Sequence, residues 1–109
     1  MSCVFCDLIK SNKQWVFESD KCCCFPDISP VADVHLLIVP KIHIESLTFV
    51  TSETSSFISD IFESIPIIVK KFNMDSYRLV ANTGALAGQS VKHIHFHILG
   101  GREFAWPPG

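Results

Sequence analysis

From Glu53 to Phe72 the apolar residues Phe57, Ile58, Ile61, Phe62, Ile65, Ile68, Val69 and Phe72 recur every three or four positions. That period predicts one amphipathic helix with a single buried stripe. Ser52 or Thr51 can cap its start, and Lys70 and Lys71 suit the negative end of its dipole. Pro66 lacks a backbone donor and crowds the preceding turn, so a kink or break is expected there. The other apolar runs are short. Trp15-Val16-Phe17 and Cys22-Cys23-Cys24-Phe25 read as a strand pair around the turn Glu18-Ser19-Asp20-Lys21. Val34 to Val39 is strand-like and is ended by Pro40. Tyr77 to Val80 and His93 to Leu99 complete a set of five strands, and Phe5 to Lys10 suits a short helix. Hairpin-like connections without regular β-α-β alternation predict an α+β fold, a five-stranded antiparallel sheet with one main helix and a short N-terminal helix.

With 109 residues, 48% of them hydrophobic and 18% charged, the chain fits one domain, residues 1–109, around a single core. Nine Lys and Arg against eleven Asp and Glu, with no basic run beyond Lys70-Lys71, argue against an extended nucleic-acid groove. Charged or histidine residues interrupt every apolar run, so no membrane helix is expected, and the first residues lack the basic start and apolar core of a secretory signal. Five cysteines, three of them consecutive at Cys22 to Cys24, argue against a disulfide framework and for a reducing, intracellular setting.

The chemistry concentrates in His93, His95 and His97. In a strand, residues two apart leave the same face at intervals of roughly 6.6 Å, with Ile94, Phe96 and Ile98 on the other. A lone strand histidine is more often structural; three in register form a row of groups able to donate, accept or attack near neutral pH. Before them runs Asn82 to Ser90, whose Gly84 and Gly88 permit positive φ and close approach of an anion to backbone amides, with Gln89 and Ser90 as neutral donors. Cys3-x-x-Cys6 has a spacing suited to two zinc thiolates, with His43 and His93 as candidates to close a tetrahedron; free thiols are the alternative that spacing leaves open. Asp27, between Pro26 and the Ile28-Ser29-Pro30 turn, can accept hydrogen bonds from a sugar diol or simply stabilise its turn. Phe5, Leu8, Phe25 and Ile28 can sandwich a base or serve as core.

His93-Ile94-His95-Phe96-His97-Ile98-Leu99 resembles the signature of the histidine triad family. Asp27-Ile28-Ser29-Pro30, Ile38-Val39-Pro40-Lys41, Asn82, Gly88-Gln89-Ser90-Val91, Leu99-Gly100-Gly101-Arg102 and Trp106-Pro107-Pro108-Gly109 are similar to its nucleotide-binding, protein kinase C inhibitor-like branch. The resemblance implies a homodimer whose two sheets join into one of ten strands. It implies a purine nucleotide site, for AMP, GMP or their phosphoramidates, and hydrolysis of P-N conjugates such as adenosine 5′-monophosphoramidate or lysyl-AMP. His95 would be the nucleophile, with His97 and Ser90 assisting the leaving amine. Asn82, Gly88, Gln89 and Ser90 would hold the phosphate, Asp27 the ribose, and Trp106 would approach the partner's leaving group. Members of the branch that carry the cysteine pair hold structural zinc, which here would use Cys3, Cys6, His43 and His93; no catalytic metal is expected. A cytoplasmic location is implied, with the nucleus also open to the protein. The chain departs from the branch at Ala85-Leu86-Ala87, where polar or acidic residues are frequent, and at Pro26, where histidine is common. The competing reading is a nucleotide-binding adaptor with little turnover.

Overall fold

The structure is a computed structural model and describes residues 3–11 and 15–109. Its elements are helix α1 (Val4–Lys10), strands β1 (Phe17–Glu18), β2 (Cys22–Pro26) and β3 (Val34–Pro40), helix α2 (Ser55–Lys71), and strands β4 (Tyr77–Val80) and β5 (Phe96–Gly100). The five strands form one antiparallel sheet in the order β1-β2-β3-β5-β4, so the expected α+β architecture is the one observed.

The alternation of side chains across the sheet sorts two apolar layers. Cys22, Cys24, Leu36, Ile38, Phe96 and Ile98 pack under α2, whose stripe supplies Ile58, Ile61, Ile65, Ile68 and Val69. Cys23, Leu37 and Val39 face the other way and meet Phe5 of α1. The three consecutive cysteines are all fully buried and unpaired with one another, and burial pushes the thiols of Cys23 and Cys24 up to about 12. They act as small strand hydrophobes.

Three local expectations are corrected. First, α2 runs unbroken through Pro66, which lies on its exposed side. The proline costs one helical hydrogen bond, and the buried isoleucines on the opposite face keep the helix continuous, so the break does not occur. Second, neither Thr51 nor Ser52 caps α2. Thr54 takes the cap position, and its hydroxyl accepts from the Thr51 N–H at 3.0 Å instead of from the helix. Third, the last strand begins at Phe96 rather than His93. In the register Ile38↔Phe96 the residue facing Ile94 would be Pro40, which has no N–H to give. The Ile94 N–H donates to the Ile44 carbonyl at 2.6 Å, and His93 to His95 form an irregular approach to β5.

Candidate active site

The histidine row survives this change because both the approach segment and β5 keep the imidazoles on the α1 side of the sheet. His95 and His97 stand with ring centroids 5.1 Å apart. His95 is only 6% exposed, and its Nδ1–H donates to the His93 carbonyl at 2.8 Å. A neutral imidazole that donates from Nδ1 carries its lone pair on Nε2. His95 also lines a cavity of about 480 Å³.

His97 is reached through a residue that sequence reasoning did not single out. On β3, opposite Leu99 of β5, stands His35, buried, with its Nδ1 accepting from the Val31 N–H at 3.1 Å. Its proton is therefore on Nε2, which lies 2.9 Å from His97 Nδ1. His97 Nδ1 accepts, so its own proton sits on Nε2. Burial, reinforced by the neighbouring His95 and His35, holds the His97 pKa below the ordinary histidine value and keeps the ring neutral. The Asp27 carboxylate completes this corner, 3.3 Å from His35 Nε2 and 3.9 Å from His97 Nδ1, while its other oxygen accepts from the Ser29 N–H at 2.7 Å. The His35 Nε2–H that donates to His97 Nδ1 engages both of these facing nitrogens, with the Asp27 carboxylate beside that bond. One histidine inside an apolar strand carried no signal of this role.

The aromatic wall follows from α1. Phe5 packs edge-on against Phe25, His93 and His95 at centroid distances of 5.7, 5.8 and 5.1 Å. Phe5, Leu8, Phe25, Asp27, Ile28, Ser90, His95 and His97, all anticipated from sequence, border the same cavity. Trp15, tilted on Phe25 at 5.4 Å, is a further wall that sequence reasoning assigned to a strand. Ile28 is 98% exposed at the rim, an apolar surface without cover in the single chain.

Four anticipated residues lie outside the cavity lining. Asn82 and Gly88 sit together: a Cβ placed on Gly88 would stand 3.7 Å from Asn82 Nδ2, and Gly88 has φ +93°, a left-handed conformation that favours glycine. Gln89 does not present its amide to the cavity. Its Oε1 accepts from the Gly84 N–H at 3.0 Å, and its Nε2 donates to the Glu45 and Val91 carbonyls at 2.7 and 3.0 Å. It staples the glycine loop to the segment after β3. Trp106 is 82% exposed on the tail beyond β5.

The second constellation is assembled as the spacing suggested. Ligand atoms of Cys3, Cys6, His43 and His93 all lie within 4.8 Å of one another. Cys3 Sγ and Cys6 Sγ are 3.4 and 3.5 Å from His93 Nδ1, and Cys6 Sγ is 3.4 Å from His43 Nδ1. A tetrahedral zinc with the usual Zn–S and Zn–N lengths separates sulfur from nitrogen by about 3.5 Å, so the donors fit that ion. His93 Nε2–H donates to the Pro40 carbonyl at 3.0 Å, which leaves Nδ1 unprotonated toward the thiols. Burial lowers the His93 pKa against the opposing pull of that bond, and burial together with Cys3 raises the Cys6 thiol.

A family model described as scavenger mRNA decapping enzyme C-term binding matches residues 2–104. An uncharacterised HIT-like protein of Synechococcus elongatus is 41% identical over 95 residues, covering 86% of this chain and 83% of its own. The chain belongs to the histidine triad family. Protein HitA of Neisseria gonorrhoeae is 35% identical over 102 residues, 91% of this chain and 95% of that one. Among solved structures, a HIT family hydrolase from Legionella pneumophila superposes with a TM-score of 0.92 at 37% identity, covering 99% of this chain and all of its own. A histidine triad protein from Clostridium difficile gives 0.89 at 36% identity, covering 96% and 95%.

Proposed function

We propose that this histidine triad protein is a purine nucleoside phosphoramidase of the nucleotide-binding, protein kinase C inhibitor-like branch, cleaving AMP-amine conjugates such as adenosine 5′-monophosphoramidate or lysyl-AMP. The observation that carries the reading is the orientation of His95: its Nδ1 proton is fixed by a backbone carbonyl and its Nε2 lone pair is left for attack beside the cavity. In the proposed reaction Nε2 attacks the α-phosphorus and the P-N bond breaks as the amine nitrogen takes a proton from solvent, while His97 Nε2–H donates a hydrogen bond to a phosphoryl oxygen and, with Ser90, positions the departing amine. Water then cleaves the nucleotidyl-histidine, releasing AMP and restoring the imidazole. An amine is the better leaving group once protonated, and His97, held neutral with its proton on Nε2, is suited to donate a hydrogen bond to the phosphoryl oxygen on which charge develops.

The purine of AMP or GMP would lie among Phe5, Leu8, Phe25 and Ile28, with the ribose hydroxyls on Asp27. Asn82, Gly88 and Gln89 would shape the phosphate loop. Cys3, Cys6, His43 and His93 would hold a zinc ion whose contribution when bound is a structural cross-link between α1 and the sheet. The homodimer would form along the edge strand β4, where Tyr77 and Leu79 are exposed, with Trp106 reaching the partner's site. No helix among the described residues is long and apolar enough to cross a membrane, and unpaired thiols suit a reducing cytoplasm.

Incubation with adenosine 5′-monophosphoramidate should release AMP, and His95→Ala should slow release at least about 10³-fold. A labelled nucleotide should be trapped on the wild-type protein after a denaturing alkaline quench. Equal rates in the two proteins would overturn the assignment; tight AMP binding without turnover or trapped label would support an adaptor.

A further inference from the structure

Helix α1 has only seven residues, too short to be stable alone, and Phe5 is its single buried side chain. The same helix serves two sites. Val4, Phe5 and Leu8 form one wall of the cavity, while Cys6, between them, and Cys3, at the cap, point their sulfurs at His43 and His93. Cys3 Sγ also accepts from the Cys6 N–H at 3.4 Å, so the cluster closes the first turn of α1. On the sheet side His93 is equally shared: its ring belongs to the cluster and its carbonyl orients His95. The cluster therefore ties the wall of the cavity to the segment that forms its floor.

We infer that Cys3, Cys6, His43 and His93 are positioning residues for nucleotide binding, so that metal and nucleotide bind with positive cooperativity. The inference rests on the nucleotide reading of the cavity. A metal in the cluster fixes α1 against the loop after β3 and the segment that leads into β5, and the ordered wall then accepts a base without further ordering cost. A nucleotide clamped between α1 and the sheet in turn holds the four donors together. Thermodynamic linkage requires the two effects to be equal, and couplings of this kind span about 5–150-fold. A cluster that only stabilised the fold would leave both affinities independent wherever the protein stays folded.

The test uses the full chain loaded with zinc and the same chain stripped by a chelator, at a temperature where circular dichroism shows both folded. AMP affinity, measured by calorimetry, should fall about tenfold or more on stripping. Zinc affinity, measured by competition with a chromophoric chelator, should rise by the same factor when AMP is saturating. Ribose 5-phosphate, which lacks the base that α1 would cover, should show a smaller coupling. If the stripped chain unfolds, His43→Ala replaces it: His43 is exposed, and AMP affinity in the variant should follow zinc occupancy. Equal AMP affinity with and without zinc, or equal coupling for ribose 5-phosphate, overturns the inference while leaving the nucleotide site intact. No AMP binding to the loaded protein overturns the nucleotide reading, and the inference with it.

Discussion

Which nitrogen of His97 carries a proton is decided by His35, one strand away, and that one in turn by the Val31 amide. Replacing His35 with leucine removes the donor to His97 Nδ1, lets the proton move there, and strips Nε2 of the hydrogen bond proposed for the phosphoryl oxygen. His35→Leu should lower kcat by about 10²–10³-fold, the usual worth of one hydrogen-bond donor aimed at developing charge, with KM little changed. His35→Gln, whose amide can still donate, should recover much of the loss; a purely structural residue would show no such split. The lowered pKa of His97 also has a stability consequence. The unfolded chain binds this proton near pH 6.5 and the native state only below that, so stability rises with pH across the interval and is lost as pH falls from about 6.5 toward the folded value. Thermal melts should show this, with at most about 1.4 kcal/mol per pH unit from this ring, and His97→Gln should flatten the slope. The triad was legible because its two-residue period sits in an apolar run. His35 was not, because a single histidine between Val34 and Leu36 reads as core until the fold brings His97 to it, 62 residues later in the chain.

The elements divide support from chemistry. The α2 stripe fills one face of the sheet, and truncating a fully buried member such as Ile68→Ala should cost about 2–5 kcal/mol in denaturant unfolding without altering KM. The glycine loop behaves in the opposite way. Gln89→Ala releases three hydrogen bonds that pin it, so KM for the phosphoramidate should rise about tenfold while the melting curve moves little, because the loop lies outside both apolar layers. Helical period and strand alternation made these elements readable. The continuity of α2 through Pro66 was not readable, since it depends on packing against isoleucines that only the tertiary structure places beneath it. Nor was the direction of the Gln89 amide, which answers to Glu45, a residue 44 positions away.

For the whole molecule, composition and hairpin signals announced an antiparallel α+β domain, but the order of strands answers to long-range pairing that local patterns do not encode. The exposed edge β4 would be the seam of the proposed dimer, and Leu79→Lys should convert a dimer to a monomer in sedimentation analysis by placing a charge there. The sheet order carries a consequence for synthesis. Of the five strands β5 is translated last, yet it lies inside the sheet, between β3 and β4. A nascent chain that has exposed only the first four strands lacks the piece that bridges β3 to β4 and carries His97. The proposed nucleophile His95, its neighbour His97 and the thiol-facing His93 thus leave the ribosome within five residues of each other, and a chain stopped before them would lack the whole proposed triad.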